Sequence, residues 1–241
     1  MRLLKNRHCE ARRAEAIPEQ CMSSAIELLL LLALIFTPVA FAARDLLTVS
    51  LMEILIFTAA FLWLTRSIFK GKVALINTAL NIPILLFAII MVLEYLAGTM
   101  TSARWGTIYP YSTKVYSLGL LSYMIVFLVM VNNTSSRRRL NRFIAAIIST
   151  GALLAVFGII QRLAGAERIF WFREPRETML FYSSYFNCNY FANYINMVIF
   201  LALGSFLAYL AHLNRKKGFY KFNLFEGWNI LFVFALIMMI V

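Results

Sequence analysis

The chain has 241 residues, 62% of them hydrophobic and 14% charged, with a formal net charge of +12. The basic residues recur between apolar runs and are not gathered on one soluble face, so the charge is not a nucleic-acid footprint. The runs lack strand-like alternation, which excludes an outer-membrane barrel, and three cysteines make no disulfide framework.

Residues 1–21 form a polar leader unlike the rest. Its stretch from Arg7 to Ile17 resembles translated bacterial repeat DNA, and Met22 is an alternative start. If expressed, the leader is a short disordered or helical arm.

Six runs of about 20 apolar residues follow, each long enough to cross the roughly 30 Å hydrocarbon core as a helix. They lie at 24–43, 46–65, 73–93, 113–131, 143–163 and 190–213. Ala40-Phe41-Ala42 resembles a signal-peptidase site. Glu27 and Pro38 interrupt the run before it, and the next run follows after a two-residue turn, so a retained helical hairpin is expected. A seventh run, from Trp228 to Val241, is too short to span comfortably. This expectation makes the chain an N-terminal part of a longer protein. The predicted fold is all-α: a polytopic bundle over 22–213 with an outer loop at 164–189, then a cytoplasmic loop and an incomplete seventh span at 214–241.

Basic clusters orient the bundle. Arg2, Lys5, Arg7, Arg12 and Arg13 precede the first run, and Arg66, Lys70 and Lys72 follow the second. Arg137, Arg138, Arg139 and Arg142 follow the fourth, and Arg215, Lys216, Lys217 and Lys221 follow the sixth. By the positive-inside rule these gaps and the N-terminus are cytoplasmic. The triplet Asn132-Asn133-Thr134 matches a glycosylation acceptor but falls on that same side.

Ionisable groups inside apolar runs are candidates for chemistry. Glu27 and Glu53 lie within runs, and Glu94 lies at a run's end. They could couple an ion to transport, or they could be neutral or paired groups that lock helix packing. The histidines are His8 and His212 alone. No HExxH, CxxC, phosphate loop or GxSxG occurs, so no metal and no cofactor is expected.

The loop between the fifth and sixth runs carries Arg168, Arg173 and Arg176 among Phe170, Trp171 and Phe172. Aromatic residues favour the headgroup layer. Arginines on the outer side run against the charge rule. Their forked guanidinium groups suit diphosphate, or they pair locally with Glu167, Glu174 and Glu177. Asn187 and Asn189 open the sixth run, where asparagine caps a helix and can also bond sugars or phosphates.

The stretch from Phe186 to Tyr194, Phe-Asn-Cys-Asn-Tyr-Phe-Ala-Asn-Tyr, resembles the motif of the O-antigen ligase and polymerase superfamily. Three further stretches resemble the family in the same order: Pro38 to Ala42, Ile108 to Thr113, and Gly151 to Gln161 with the loop to Gly165. Cys188 stands where the family favours Pro or Arg, and Ala42 where it favours Gly.

The resemblance implies a GT-C-like glycosyltransferase of the bacterial inner membrane. Such enzymes move a glycan from undecaprenyl diphosphate to lipid A–core or to another glycan on the periplasmic face. It implies substrate-binding roles for Arg168, Arg173, Arg176, Asn187 and Asn189, and places the catalytic base beyond Val241, leaving the present chain without activity of its own. The alternatives are a transporter or flippase using Glu27, Glu53 and Glu94, and a structural membrane subunit.

Overall fold

The structure, a computed structural model, describes residues 2–43, 45–71, 75–100, 109–134, 136–174 and 180–216. The regular structure among these residues is helical, with two isolated β-bridges and no strand. The helices are α1 (Arg2–Val39), α2 (Leu46–Phe69), α3 (Asn81–Met100), α4 (Pro110–Asn133), α5 (Arg137–Leu163) and α6 (Cys188–Lys216). A 3₁₀ turn, Phe41–Ala43, follows α1. Among the described residues, five segments are long and apolar enough to cross a membrane: Gln20–Val39, Leu46–Phe69, Tyr111–Asn133, Arg137–Leu163 and Cys188–Tyr209. The chain is therefore a multi-pass membrane protein by the length and composition of its helices. The seventh run lies outside the described residues.

Helix α1 starts at Arg2, so the polar leader and the first apolar run share one helix. Pro38 cannot donate a backbone N–H, and α1 stops one residue later.

The third run differs from its expected bounds. Residues 75–80 are not helical, and α3 begins at Asn81. Thr78 Oγ1 donates to Asn81 Oδ1 at 2.5 Å, and Asn81 Nδ2 donates to the Ile76 carbonyl at 3.1 Å. Pro83 then falls in the first helical turn, where no N–H is needed. These local bonds outcompete helix for the preceding apolar residues.

The chain divides into two compact units. The first holds Met1–Ala33 and Val49–Arg139, the second Leu34–Thr48 and Leu140–Val241. In the first unit α3 packs on α4. In the second, Ile148, Leu154 and Ala155 of α5 pack with Phe191, Ile195, Val198 and Ala202 of α6 and with Tyr185. Lipid tails are as apolar as leucine, so close van der Waals contact holds such helices together. Gly151, Ala155 and Gly158 are small residues on one face of α5. A Cβ at Gly151 would lie 2.8 Å from Val198, and one at Gly158 would lie against the Tyr182 ring.

Candidate functional site

The loop after α5 belongs to the second unit and is folded by tight turns. Helix α5 ends in a Schellman motif. Gly165 takes a φ of 62°, its N–H donates to the Arg162 carbonyl at 3.2 Å, and the Ala166 N–H donates to the Gln161 carbonyl at 3.0 Å. Next, Ile169 and Arg173 exchange two backbone hydrogen bonds of 2.9 and 3.0 Å. Between them Phe170 and Trp171 hold left-handed φ values of 53° and 65°. A second turn pairs Tyr182 with Tyr185 through bonds of 3.1 and 3.0 Å, with Ser183 at a φ of 55°.

Buried groups fasten both turns. Gln161 is buried at the end of α5. In the orientation that satisfies both its amide atoms, Nε2 donates to the Ser183 carbonyl at 3.1 Å and Oε1 accepts from the Phe170 N–H at 2.9 Å. Ser183 Oγ donates to the Leu154 carbonyl at 2.8 Å, and Ser184 Oγ donates to the Pro38 carbonyl at 2.6 Å. The last bond satisfies a carbonyl freed where α1 ends.

Arg173 is the centre of this arrangement. Its Nη2 meets Oδ2 of Asp45 at 2.7 Å. Its guanidinium carbon lies 5.2 Å from the Phe41 ring centre and 5.9 Å from that of Phe186. Those two rings stack on each other at 5.6 Å. Phe41 also meets Phe170 and Phe172 edge-on, and Phe157 packs on Phe170 and Trp171. The Arg173 side chain is 40% exposed and that of Asp45 13%, so the cation is partly open while its counter-ion is nearly covered. Cation–π contact and an ion pair fix the guanidinium plane at once. A fixed, partly open guanidinium suits a phosphate oxygen.

Among the described residues, five non-glycine residues have positive φ: Phe41, Ala42, Phe170, Trp171 and Ser183. Each left-handed residue costs about 1–2 kcal/mol. All five lie in the segments that surround Arg173 and Gln161, and strain of this kind concentrates at functional sites.

The sequence-derived candidates do not all converge. Arg168 is exposed and pairs with Glu174 at 3.0 Å, the local pairing that competes with a ligand role. Arg176 lies outside the described residues. Asn187 Oδ1 accepts from the Asn189 N–H at 2.8 Å, and its carbonyl accepts from Tyr190 and Phe191, so it caps α6. Asn189 is exposed, with Cys188 Sγ 3.9 Å from its Oδ1. Sequence reasoning missed Asp45, Phe41, Phe186 and Gln161 as partners of the loop. Asp45 stood in plain view as the acid of a two-residue turn.

Burial raises the pKa values of the tyrosines in the second turn. The Tyr185 phenol is held well above its ordinary value by burial, with the neighbouring Tyr194 acting in the same direction. Burial also raises Tyr182, opposed in part by the Arg162 charge. Both phenols are kept neutral and pack on Phe191.

The intramembrane acids lie in the first unit. Glu27 is buried, with Oε2 3.4 Å from Arg139 Nε. Arg139 also donates to the Asn133 carbonyl at 2.8 Å, and Asn133 Oδ1 accepts from Ser23 at 3.1 Å and Arg66 at 2.7 Å. This network joins α1, α2, α4 and α5. Glu53 is buried on the stripe of α2 that holds Met52, Ile56 and Ala59, and Glu94 is exposed on α3. Among the described residues no cluster of metal-ligating side chains occurs.

No family model matches the chain, and no curated protein and no solved structure matches it.

Proposed function

We propose that the chain is part of a membrane glycan ligase or polymerase of the bacterial inner membrane, with a GT-C-like bundle in which Asn81–Met100 completes six spans. At about 1.5 Å per residue its 20 residues reach about 30 Å. The enzyme would transfer a glycan from undecaprenyl diphosphate to lipid A–core or to another glycan on the periplasmic face. An acceptor hydroxyl, assisted by a general base, attacks the anomeric carbon, and the lipid diphosphate departs. Arg173 and Arg176 neutralise the departing charge, and Asn187 and Asn189 shape the mouth of α6. The four ordered motif stretches support this reading.

The observation that carries it is the Arg173 guanidinium held by Asp45 against Phe41 and Phe186. Phe41 comes from the Pro38–Ala42 stretch, Asp45 from the turn after it, and Phe186 opens the asparagine motif, so two of the four resembling stretches meet at one cation. Glu27 is engaged by Arg139, which gives the transporter alternative less to work with.

The test is glycan transfer by a full-length version of the protein, in cells that depend on it, normalised to protein level. Arg173→Ala and Arg176→Ala should lower transfer, while Arg137→Ala should follow protein level alone. Accessibility labelling at Ser136 and Glu174 should report opposite faces. Labelling from the same side would overturn the orientation and the site together.

A further inference from the structure

The seam between α3 and α4, within the first unit, holds a groove of about 310 Å³. Its walls are apolar: Ala88, Met91 and Val92 from α3, and Leu118, Leu121 and Met124 from α4. These positions follow the three-and-four spacing of single helix faces. Tyr95, Lys114 and Ser117 also line it.

These three residues are not scattered along the seam. Only nine residues, 101–109, join the two helices, so they pack antiparallel. The end of α3 and the start of α4 then share one end of the groove. Tyr95, Lys114 and Ser117 lie at that end, and Ala88, Leu121 and Met124 lie towards the other. From Lys114 to Met124 the groove runs about 15 Å along α4, roughly half the hydrocarbon thickness. The exposed Lys114 stands at one end and nearly the whole lining is hydrocarbon, within a helix pair that carries many exposed apolar side chains, such as Leu85, Leu86 and Val92.

We propose that this seam is a binding site for one anionic phospholipid, its phosphate at Lys114 and one acyl chain laid along Leu118, Leu121 and Met124. Charge complementarity selects the occupant. One lysine matches the single charge of a phosphodiester, whereas a lipid diphosphate would call for more cations. The lysine's four-carbon stem lies on the apolar wall while its ammonium reaches the headgroup layer. The site is independent of glycan transfer.

The experiment uses the full chain in nanodiscs of equal phosphatidylglycerol and phosphatidylethanolamine, with retained lipid measured after mild detergent extraction by native mass spectrometry. Wild type should retain phosphatidylglycerol preferentially. Lys114→Ala should reduce that preference by about fivefold, the effect of one basic residue at a membrane surface, and Lys114→Arg should keep it. Leu121→Trp, which fills the apolar end without changing charge, should lower retention of both lipids. Phosphatidylglycerol with a photoactivatable tail should label α3 and α4. An unchanged preference in Lys114→Ala, labelling confined to other helices, or cross-links at Leu121 to a second copy in place of lipid would each overturn the proposal. So would displacement of phosphatidylglycerol by a polyprenyl diphosphate with equal strength in wild type and Lys114→Ala.

Discussion

Arg173 and Asp45 lie 128 positions apart and meet at 2.7 Å, joining the loop after α5 to the turn between α1 and α2. Asp45 immediately precedes α2, where a negative charge is favoured by the helix dipole, and Thr48 Oγ1 donates to its carbonyl at 2.8 Å. The backbone of Asp45 is thus held at the start of its own helix, and its carboxylate meets the arginine. Phe41 and Phe186 then leave the guanidinium little freedom to turn.

Removing either partner is expected to separate charge from geometry. In Arg173→Ala the nearly covered Asp45 loses its cation. A charge-assisted hydrogen bond of this kind contributes about 1.5–3 kcal/mol, and a comparable loss in the transition state would slow transfer about 10- to 100-fold. Arg173→Lys keeps the charge but not the fork or the stacking, so it should recover stability better than transfer. Asp45→Asn should leave Arg173 charged but free to rotate. Thermal unfolding in detergent, set beside transfer per folded molecule, checks the split. Equal transfer per molecule in all three variants would reduce the pair to scaffold.

The asparagines at the start of α6 are expected to behave differently from each other. Asn187 caps the helix through its Oδ1 bond to Asn189 N–H, so Asn187→Ala should lose about 1 kcal/mol of stability. Asn187→Asp should restore it, because aspartate caps as well. Asn189 is exposed, and Asn189→Ala should change stability by no more than about 0.5 kcal/mol. If Asn189→Ala nonetheless lowers glycan transfer per folded molecule, its side chain acts on substrate. If Asn187→Asp fails to recover stability, the cap is not what Asn187 contributes.

The helices were legible because about 20 apolar residues in a row leave the backbone no alternative in hydrocarbon. The start of α3 was not, since Asn81 and Pro83 sit inside an apolar run whose hydropathy hides them. The cap at Asn187 was legible because capping is local. The Arg173–Asp45 pair was not, because nothing in sequence spacing reports a contact between residues so far apart. Arg168 shows the same limit from the other side: the local partner, Glu174, was visible and is the one it takes.

The buried phenols set an expected alkaline limit. Tyr182 and Tyr185 both have raised folded-state values, Tyr185 strongly, with burial the main cause. An unfolded tyrosine ionises near pH 10. Below that both states are neutral and the full stability is present. Above it the unfolded chain releases protons that the folded turn retains, so stability falls as pH rises towards and through the folded values. Chemical denaturation of the solubilised protein should be flat with respect to these groups below about pH 10 and decline above it. Tyr185→Phe should remove most of that decline, and phenolate absorbance should show the delayed ionisation directly. An identical alkaline decline in Tyr185→Phe would place its cause elsewhere.

Ala42 is held in a backbone conformation that favours glycine. Its φ and ψ are 55° and 33°, inside the left-handed region. There a Cβ crowds the following carbonyl at about 1–2 kcal/mol, and glycine avoids that penalty while adding roughly 0.5–1 kcal/mol of chain entropy to lose on folding. The first effect exceeds the second, so Ala42→Gly is expected to stabilise the protein by up to about 1 kcal/mol. The neighbouring Phe41 has a φ of 54° but offers no such gain, because its ring packs on Phe170, Phe172 and Phe186 and under Arg173. Phe41→Gly should therefore destabilise, by about 3–5 kcal/mol if its burial resembles that of a core phenylalanine. Opposite signs at two adjacent left-handed residues distinguish backbone strain that side-chain packing repays from strain that it does not. The measurement is the unfolding midpoint of each single variant in the same detergent. A loss of stability in Ala42→Gly would mean that the methyl group's contacts with the α5–α6 core outweigh the conformation it is held in.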